Sequence, residues 1–368
     1  MATPMRAAAW LMAAMLAATP ALLAQPQPAG VQEEIDVTDV LLDVLVTDQH
    51  GKVIVGLSEE DFIVEEAEGA PVEVTGATFY SNRRFVETEE RAKSLGLSFD
   101  AVPVDRFFVL FFHDQRQDLQ QLNGQQLDAA RYAKQWVDRE LLANDYVAVV
   151  SYDVGLKVQT DFTNDKKNIK RAIGNAVLGR DAGRNYPSRF PPENQPSLLR
   201  NLPTGKALRK ATWDIHHGLR LVAEALGDTI GRKNLLLFSI GWGVVDEADT
   251  VTPDVRYYDN TMEAMNASNV AVYGIDYVST VEGGAQFGRS LNDSLSNLAK
   301  DTGGEYFFQY VNFAKPLRTV SDATNGYYLL SYSSEHLRGE SGFQNVKVRT
   351  RNPNFEVRTR KGYAYGAS

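Results

Sequence analysis

Cysteine is absent from all 368 residues. That excludes disulfides, thiol nucleophiles and a lipid-modified N-terminal cysteine. An exported chain of this kind must be held by its core alone, and this one is long enough to bury a sizeable core. Positive charge is in short supply: 38 Lys and Arg face 47 Asp and Glu, a net charge of −9. That balance speaks against a sequence-independent grip on nucleic acid. No run of like charges stands out, and after residue 24 no apolar run is long enough to span a bilayer. The sequence also lacks a P-loop, an H-E-x-x-H pair and a G-x-S-x-G elbow. With no catalytic constellation in view, the chain is not expected to be an enzyme.

What is present begins with a leader. Residues 1–24 carry Arg6 as their one early charge, then AAAWLMAAMLAA, TPALLA and the polar QPQP. This is the pattern of a secretory signal with cleavage after Ala21 or Ala24. It implies export to a periplasm or the exterior, with no transmembrane span left after cleavage.

The chain then divides by its periodicities. Residues 31–85 form a small β-rich module. IDVTDVLLDVLVTD is strand-like, DQHGK is a turn, and Ser58 precedes a short capped helical turn. IVEEA and PVEVTGATFY pair around Glu68-Gly69. Residues 105–325 alternate strands with helices, which implies a mostly parallel sheet with helices on both faces. RFFVLFFHD, DYVAVVSYD, NLLLFSIG, NVAVYGID and EYFFQ are the strands, with LKVQT a hairpin partner of the second. Asn164 is the expected cap of a helix over 165–178. Leu127 belongs to the apolar stripe of a helix over 122–142, and Trp213 to that of a helix over 205–230. From 326 to 366 strands follow without helices and read as antiparallel; the simplest packing places them with the N-terminal module, and a separate C-terminal sheet is the alternative. Residues 181–204 contain five prolines and no periodicity, and long loops of this kind in compact domains are functional or disordered.

In order and spacing, DVLVTDQHGKVIVGLSEEDFIVEE, RFFVLFFHD, NDYVAVVSYD, DFTND, GRKNLLLFSIG, LAKDTGGEYF, YYLLSY and VRTRKGYAY together resemble the bacterial, acidobacterial-type von Willebrand factor A-related family. The resemblance covers about residues 35–365. It implies a Rossmann-like A domain of strand order 3-2-1-4-5-6 beside a β module, and it supplies no defined biochemical activity.

Related A domains hold a divalent metal through D-x-S-x-S after the first strand, a Thr on a second loop and an Asp after the fourth strand. Mg²⁺ or another hard cation in such a site takes oxygen ligands and can leave one position for a partner's carboxylate. Here the first loop reads Asp114-Gln115-Arg116-Gln117-Asp118. Asp114 matches the first ligand, and Asp118 replaces a Ser with a carboxylate that can still bind. Arg116 replaces the other Ser with a permanent cation that only donates. Thr212 is the best match for the Thr, Thr204 the second. Ile240 stands where the last Asp belongs, with Asp246 further along. The metal site is therefore degenerate.

Ligands of open α/β sheets bind beyond the carboxyl ends of the strands. The partner-binding rim is accordingly expected at Arg116, Trp242 and Asp276, on loops 113–121, 181–204, 241–256 and 277–290. His113 is expected to make a local hydrogen bond. His216 and His217 are adjacent in a helix and point apart, so joint ligation is not expected. GGAQFG at 283–288 reads as loop. The sequons at Asn266 and Asn292 read as chance. The function implied is a non-enzymatic adhesion or binding module for a protein partner. The alternative is a structural part of a cell-envelope assembly with the A domain as a metal-free scaffold.

Overall fold

The computed structural model describes residues 35–66, 69, 71–81, 93, 105–113, 122–190, 195–229, 231–245, 251–252, 255–276, 285–308, 310, 312–337 and 340–366. The expected leader lies outside them. In the β module, strand β1 (Ile35–Thr47) is followed by β2 (Phe62–Glu65), β3 (Pro71–Val72) and β4 (Gly76–Ser81). The A domain runs through β5 (Arg106–His113), α1 (Leu122–Glu140), β6 (Asp145–Tyr152), β7 (Leu156–Thr163), α2 (Lys166–Val177), α3 (Gly205–Ala211) and α4 (Ile215–Ala225). It continues with β8 (Lys233–Ser239), the short pair β9 (Val244–Val245) and β10 (Val251–Thr252), α5 (Tyr258–Ala267), β11 (Val270–Asp276), α6 (Ala285–Asp301), β12 (Glu305–Phe307) and α7 (Ala314–Ala323). The chain ends in β13 (Gly326–Leu337), β14 (Gly342–Asn345), β15 (Lys347–Thr350), β16 (Glu356–Arg358) and β17 (Gly362–Tyr365).

The central sheet has the order β12-β11-β8-β5-β6-β7. Counted in chain order this is 3-2-1-4-5-6, parallel except for β7, which returns antiparallel to β6. The aromatic run of β5 explains its central place. Phe108, Leu110 and Phe112 pack into one core with α1, α2 and α7, while Val109 and Phe111 pack into the other with α4, α5 and α6. A strand that is apolar on both faces has to lie between two helical layers.

The two chain ends share one β module. β1 pairs with β13 over ten residues, from Ile35↔Leu337 to Val44↔Tyr328, in a sheet of order β16-β1-β13-β4. A second sheet, β15-β2-β3, faces it across Val40, Leu42, Val44, Val64, Tyr328 and Tyr332. β2 and β3 pair at Val64↔Val72, as expected from the turn at Glu68-Gly69. The Ser58 backbone N–H donates to the Asp61 carboxylate at 2.9 Å, closing the short turn. Arg360 ties the module to the A domain, donating to the carbonyls of Leu41 and Asn266 at 2.6 and 2.7 Å.

Five local expectations are corrected. The cap of α2 is Asp165, whose carboxylate accepts from the N–H of Lys167 at 2.9 Å; Asn164 instead donates to the carbonyl of Ala143. The helix expected over 205–230 is two helices. The Thr212 hydroxyl turns back to the Leu208 carbonyl, and Asp214 starts α4 by accepting from the N–H of His217 at 2.8 Å. Trp213 therefore sits in the break, 56% exposed, and Leu127 faces out at 52%. Ala285 begins α6, so the last four residues of GGAQFG are helical.

The 181–204 segment wraps the flank of β7. Asp161, in β7, accepts from the Ser197 hydroxyl at 2.6 Å and the Leu198 N–H at 2.8 Å, while Leu198, Leu199 and Leu202 are buried. Its second half is a strap over an edge strand, where open backbone would invite pairing with another chain.

Candidate functional site

Register brings the strand exits together. His113 pairs with Tyr152, Phe112 with Phe238, and Ser239 with Asp276. His113, Tyr152, Ser239 and Asp276 thus line one edge of the sheet, and all four are buried. The His113 Nδ1 lies 2.8 Å from the Ser239 hydroxyl, which also accepts from the Gly241 N–H at 3.0 Å. Burial pushes the His113 imidazole down to about 3, so it is neutral at ordinary pH. The local hydrogen bond expected for His113 is present.

Trp242 was expected on a partner-facing rim. It is 4% exposed, with its indole N–H donating to His216 Nε2 at 3.1 Å. His216 must therefore accept at Nε2 and carry its proton on Nδ1, which lies 3.4 Å from the Thr261 hydroxyl. Thr261 passes its own proton to the Tyr257 carbonyl at 2.8 Å. Asp276, also expected on the rim, is fully buried and accepts from the Tyr306 hydroxyl at 3.0 Å. Burial and then Asp276 raise the Tyr306 phenol well above its ordinary range.

Of the metal positions, Asp114, Arg116, Asp118 and Asp246 lie outside the described residues. Thr212 is fully buried; its hydroxyl donates to Leu208 O at 2.8 Å and accepts from Leu156 N at 3.1 Å. One lone pair is left for any further bond. Thr204 lies at the far end of α3. Ile240 is buried in the core and offers no oxygen. Among the described residues, no three His, Asp or Glu gather as a metal site would require. The Asn266 sequon is shut away, its side chain 1% exposed and donating to Met262 Sδ.

The solvent side of this edge is built by residues that the sequence did not place on the rim. Trp213 stacks obliquely on His217, ring centres 4.7 Å apart, and meets Tyr257 edge-on at 5.6 Å. His217 contacts Tyr257 at 4.8 Å, and its Nδ1 lies 2.8 Å from Asp214. His216 and His217 take separate polar partners, Trp242 and Asp214. The β6–β7 turn adjoins this cluster: a Cβ placed on Gly155 would lie 3.5 Å from the Thr212 hydroxyl. Val154, next in that turn, is 74% exposed. The signal for Trp213 was Asp214, three residues before His217. An Asp in that position starts a helix and so leaves the preceding residue outside it.

No family model matches the chain, and no curated protein matches it. Solved structures do. Proximal thread matrix protein 1 from the mussel byssus is 16% identical with a TM-score of 0.35, covering 60% of this chain and 48% of its own. The chain thus spans about half that protein's length, and a further form of it has a zinc-occupied MIDAS motif. An aerotolerance-related membrane protein from Bacteroides fragilis is 14% identical with a TM-score of 0.38, covering 59% of this chain and 98% of its own. A von Willebrand factor type A protein from Catenulispora acidiphila is 9% identical with a TM-score of 0.39, covering 92% and 75%. At TM-scores below 0.5 these likenesses carry no argument about residues or function. The strand order and directions described above are themselves those of a Rossmann-like, von Willebrand factor A-type domain, with no helix among the described residues long and apolar enough to cross a membrane.

Proposed function

We propose that this is an exported, non-enzymatic binding module that grips a protein partner at the carboxyl edge of the A-domain sheet. The observation that carries this is Trp213, more than half exposed at that edge and braced by His217 and Tyr257. Large aromatic side chains held rigidly in water are the anchors of protein interfaces. A buried, hydrogen-bonded layer beneath them, from His113 to Trp242, keeps the platform fixed.

Trp213→Ser tests the reading. Partner capture from the native envelope should be lost while thermal stability stays within about 0.5 kcal/mol of wild type. Unchanged capture would sink it. A metal-assisted version rests on Asp114 and Asp118, with Mg²⁺ bridging to a partner carboxylate. Isothermal titration with Mg²⁺ or Mn²⁺ decides that version: heat that disappears in Asp114→Ala supports it, and no heat eliminates it.

The second reading makes the β module the docking part of an envelope assembly and the A domain its metal-free scaffold. The closure of that module by both chain ends favours it. Assembly that survives Trp213→Ser would support this reading over the first. Deleting 181–204 would not separate the two, because Leu198, Leu199 and Leu202 belong to the core.

A further inference from the structure

Charge is segregated in this molecule. Residues 165–210 hold 11 Lys and Arg against three Asp and Glu, a net +8, which leaves −17 for the rest of the chain. Short spacing hides this in the sequence, because the cations are separated by prolines and apolar residues. In the fold the seven cations of 180–210 follow one edge strand. Gln159 donates to Arg180 O, Lys157 lies 3.7 Å from Asp181, Asp161 holds Ser197 and Leu198, and Gly155 abuts Arg209. Every anchor is on residues 155–161, so the basic segment runs along one flank of the sheet.

Arg180, Arg184, Arg200, Lys206, Arg209 and Lys210 are all exposed there. Among the described residues none of the six forms an ion pair. Like charges gathered without counter-charges repel one another, which costs stability unless a ligand answers them. Two rings stand among them: Tyr186 is 48% exposed and Phe190 91%. Next to Phe190, Arg189 donates to the carbonyls of Leu199 and Leu202 and ties this stretch to the buried leucines. The surface is therefore prearranged.

We propose that this flank is a second docking surface, meeting the Trp213 edge only at Arg209, and that its occupant is an acidic polypeptide segment. Charge complementarity sets the sign of the partner. Arginine outnumbers lysine along 180–210, and its planar fork matches carboxylates two bonds at a time. Exposed Tyr and Phe interleaved with Arg are the composition of a protein interface.

The test uses the full chain and a fluorescein-labelled deca-glutamate peptide, read by anisotropy at low and physiological salt. Saturable binding that weakens with salt is expected. Arg184→Glu, Arg200→Glu and Lys206→Glu together should weaken it by about tenfold or more with melting unchanged. Phe190→Ala should weaken it by about threefold. Lys315→Glu with Arg318→Glu, on α7, should leave it intact. Absence of saturable binding at low salt would overturn the proposal, as would an equal loss in the α7 control. Tighter binding of heparin or of phosphatidylglycerol vesicles, at equal anionic charge, would reassign the surface to a polymer or a membrane. Salt-sensitive self-association abolished by the triple variant would make a second copy the occupant. None of these outcomes depends on Trp213.

Discussion

The Trp242 indole donates to His216 Nε2 at 3.1 Å, and both side chains are buried. The bond joins the exit of β8 to the first turn of α4. It also fixes the His216 tautomer, because a proton on Nε2 would face the indole proton. Trp242→Phe keeps the ring volume near enough but leaves Nε2 without that donor. A loss of about 1–3 kcal/mol is expected in urea unfolding. A neutral result would show that the edge is not organised by this contact.

His113 gives the edge a pH dependence. Its folded value of about 3 lies below the 6.5 of an unconstrained histidine. Between these values the unfolded chain holds a proton that the folded chain refuses. Stability from this group is therefore complete above pH 6.5 and declines as pH falls toward 3, by at most about 1.4 kcal/mol per unit. His113→Gln keeps a partner for Ser239 and removes the titration. Melting temperatures compared from pH 7 to pH 4 should fall less steeply in the variant, and parallel curves would refute the assignment.

At the opposite edge, Arg106 and Asp145 form a buried two-bond pair at 2.7 and 2.6 Å. Asp145 also accepts from Leu142 N at 2.7 Å, and Arg106 reaches Thr324, the residue that ends the last helix, at 3.0 Å. Arg106→Leu leaves the carboxylate buried beside one N–H only. The expected cost is about 3–5 kcal/mol by chemical denaturation.

Gly304 carries the tightest backbone approach in the A domain. A Cβ there would lie 1.8 Å from the Val272 carbonyl oxygen, in the central sheet. Its neighbour Gly303 ends α6 at a φ of +74°, a region that favours glycine. Gly304→Ala must push β12 from β11, and a loss of several kcal/mol with lowered soluble yield is expected. Wild-type stability in this variant would mean that the strand pair is looser than described.

Much of the architecture was legible because its signals are periodic. The all-apolar β5 could only be central, and Gly303 could only be a helix end. The candidate site was harder to read. Trp213 looked like a core residue because its spacing from Leu219, Val222 and Leu226 fits a helical stripe, and one capping carboxylate at Asp214 overrides that spacing. Trp242 looked like a rim residue because it follows a strand. Its burial depends on His216, 26 positions away in sequence, which no local pattern reports. The strap over β7 was read as a recognition loop because prolines hide its buried leucines and the hold of Asp161 on them.

Ser81 and Gly326 are cross-strand neighbours, so the whole A domain departs from and returns to one point of the β module. It is a graft on a hairpin. β1 is made first, yet the strand that completes it is finished about 300 residues later. Until then Val40, Leu42, Val44 and Val46 have no sheet to enter. A nascent chain halted before residue 326 would carry a finished head on a bare, adhesive ribbon, and quality control would meet it there first.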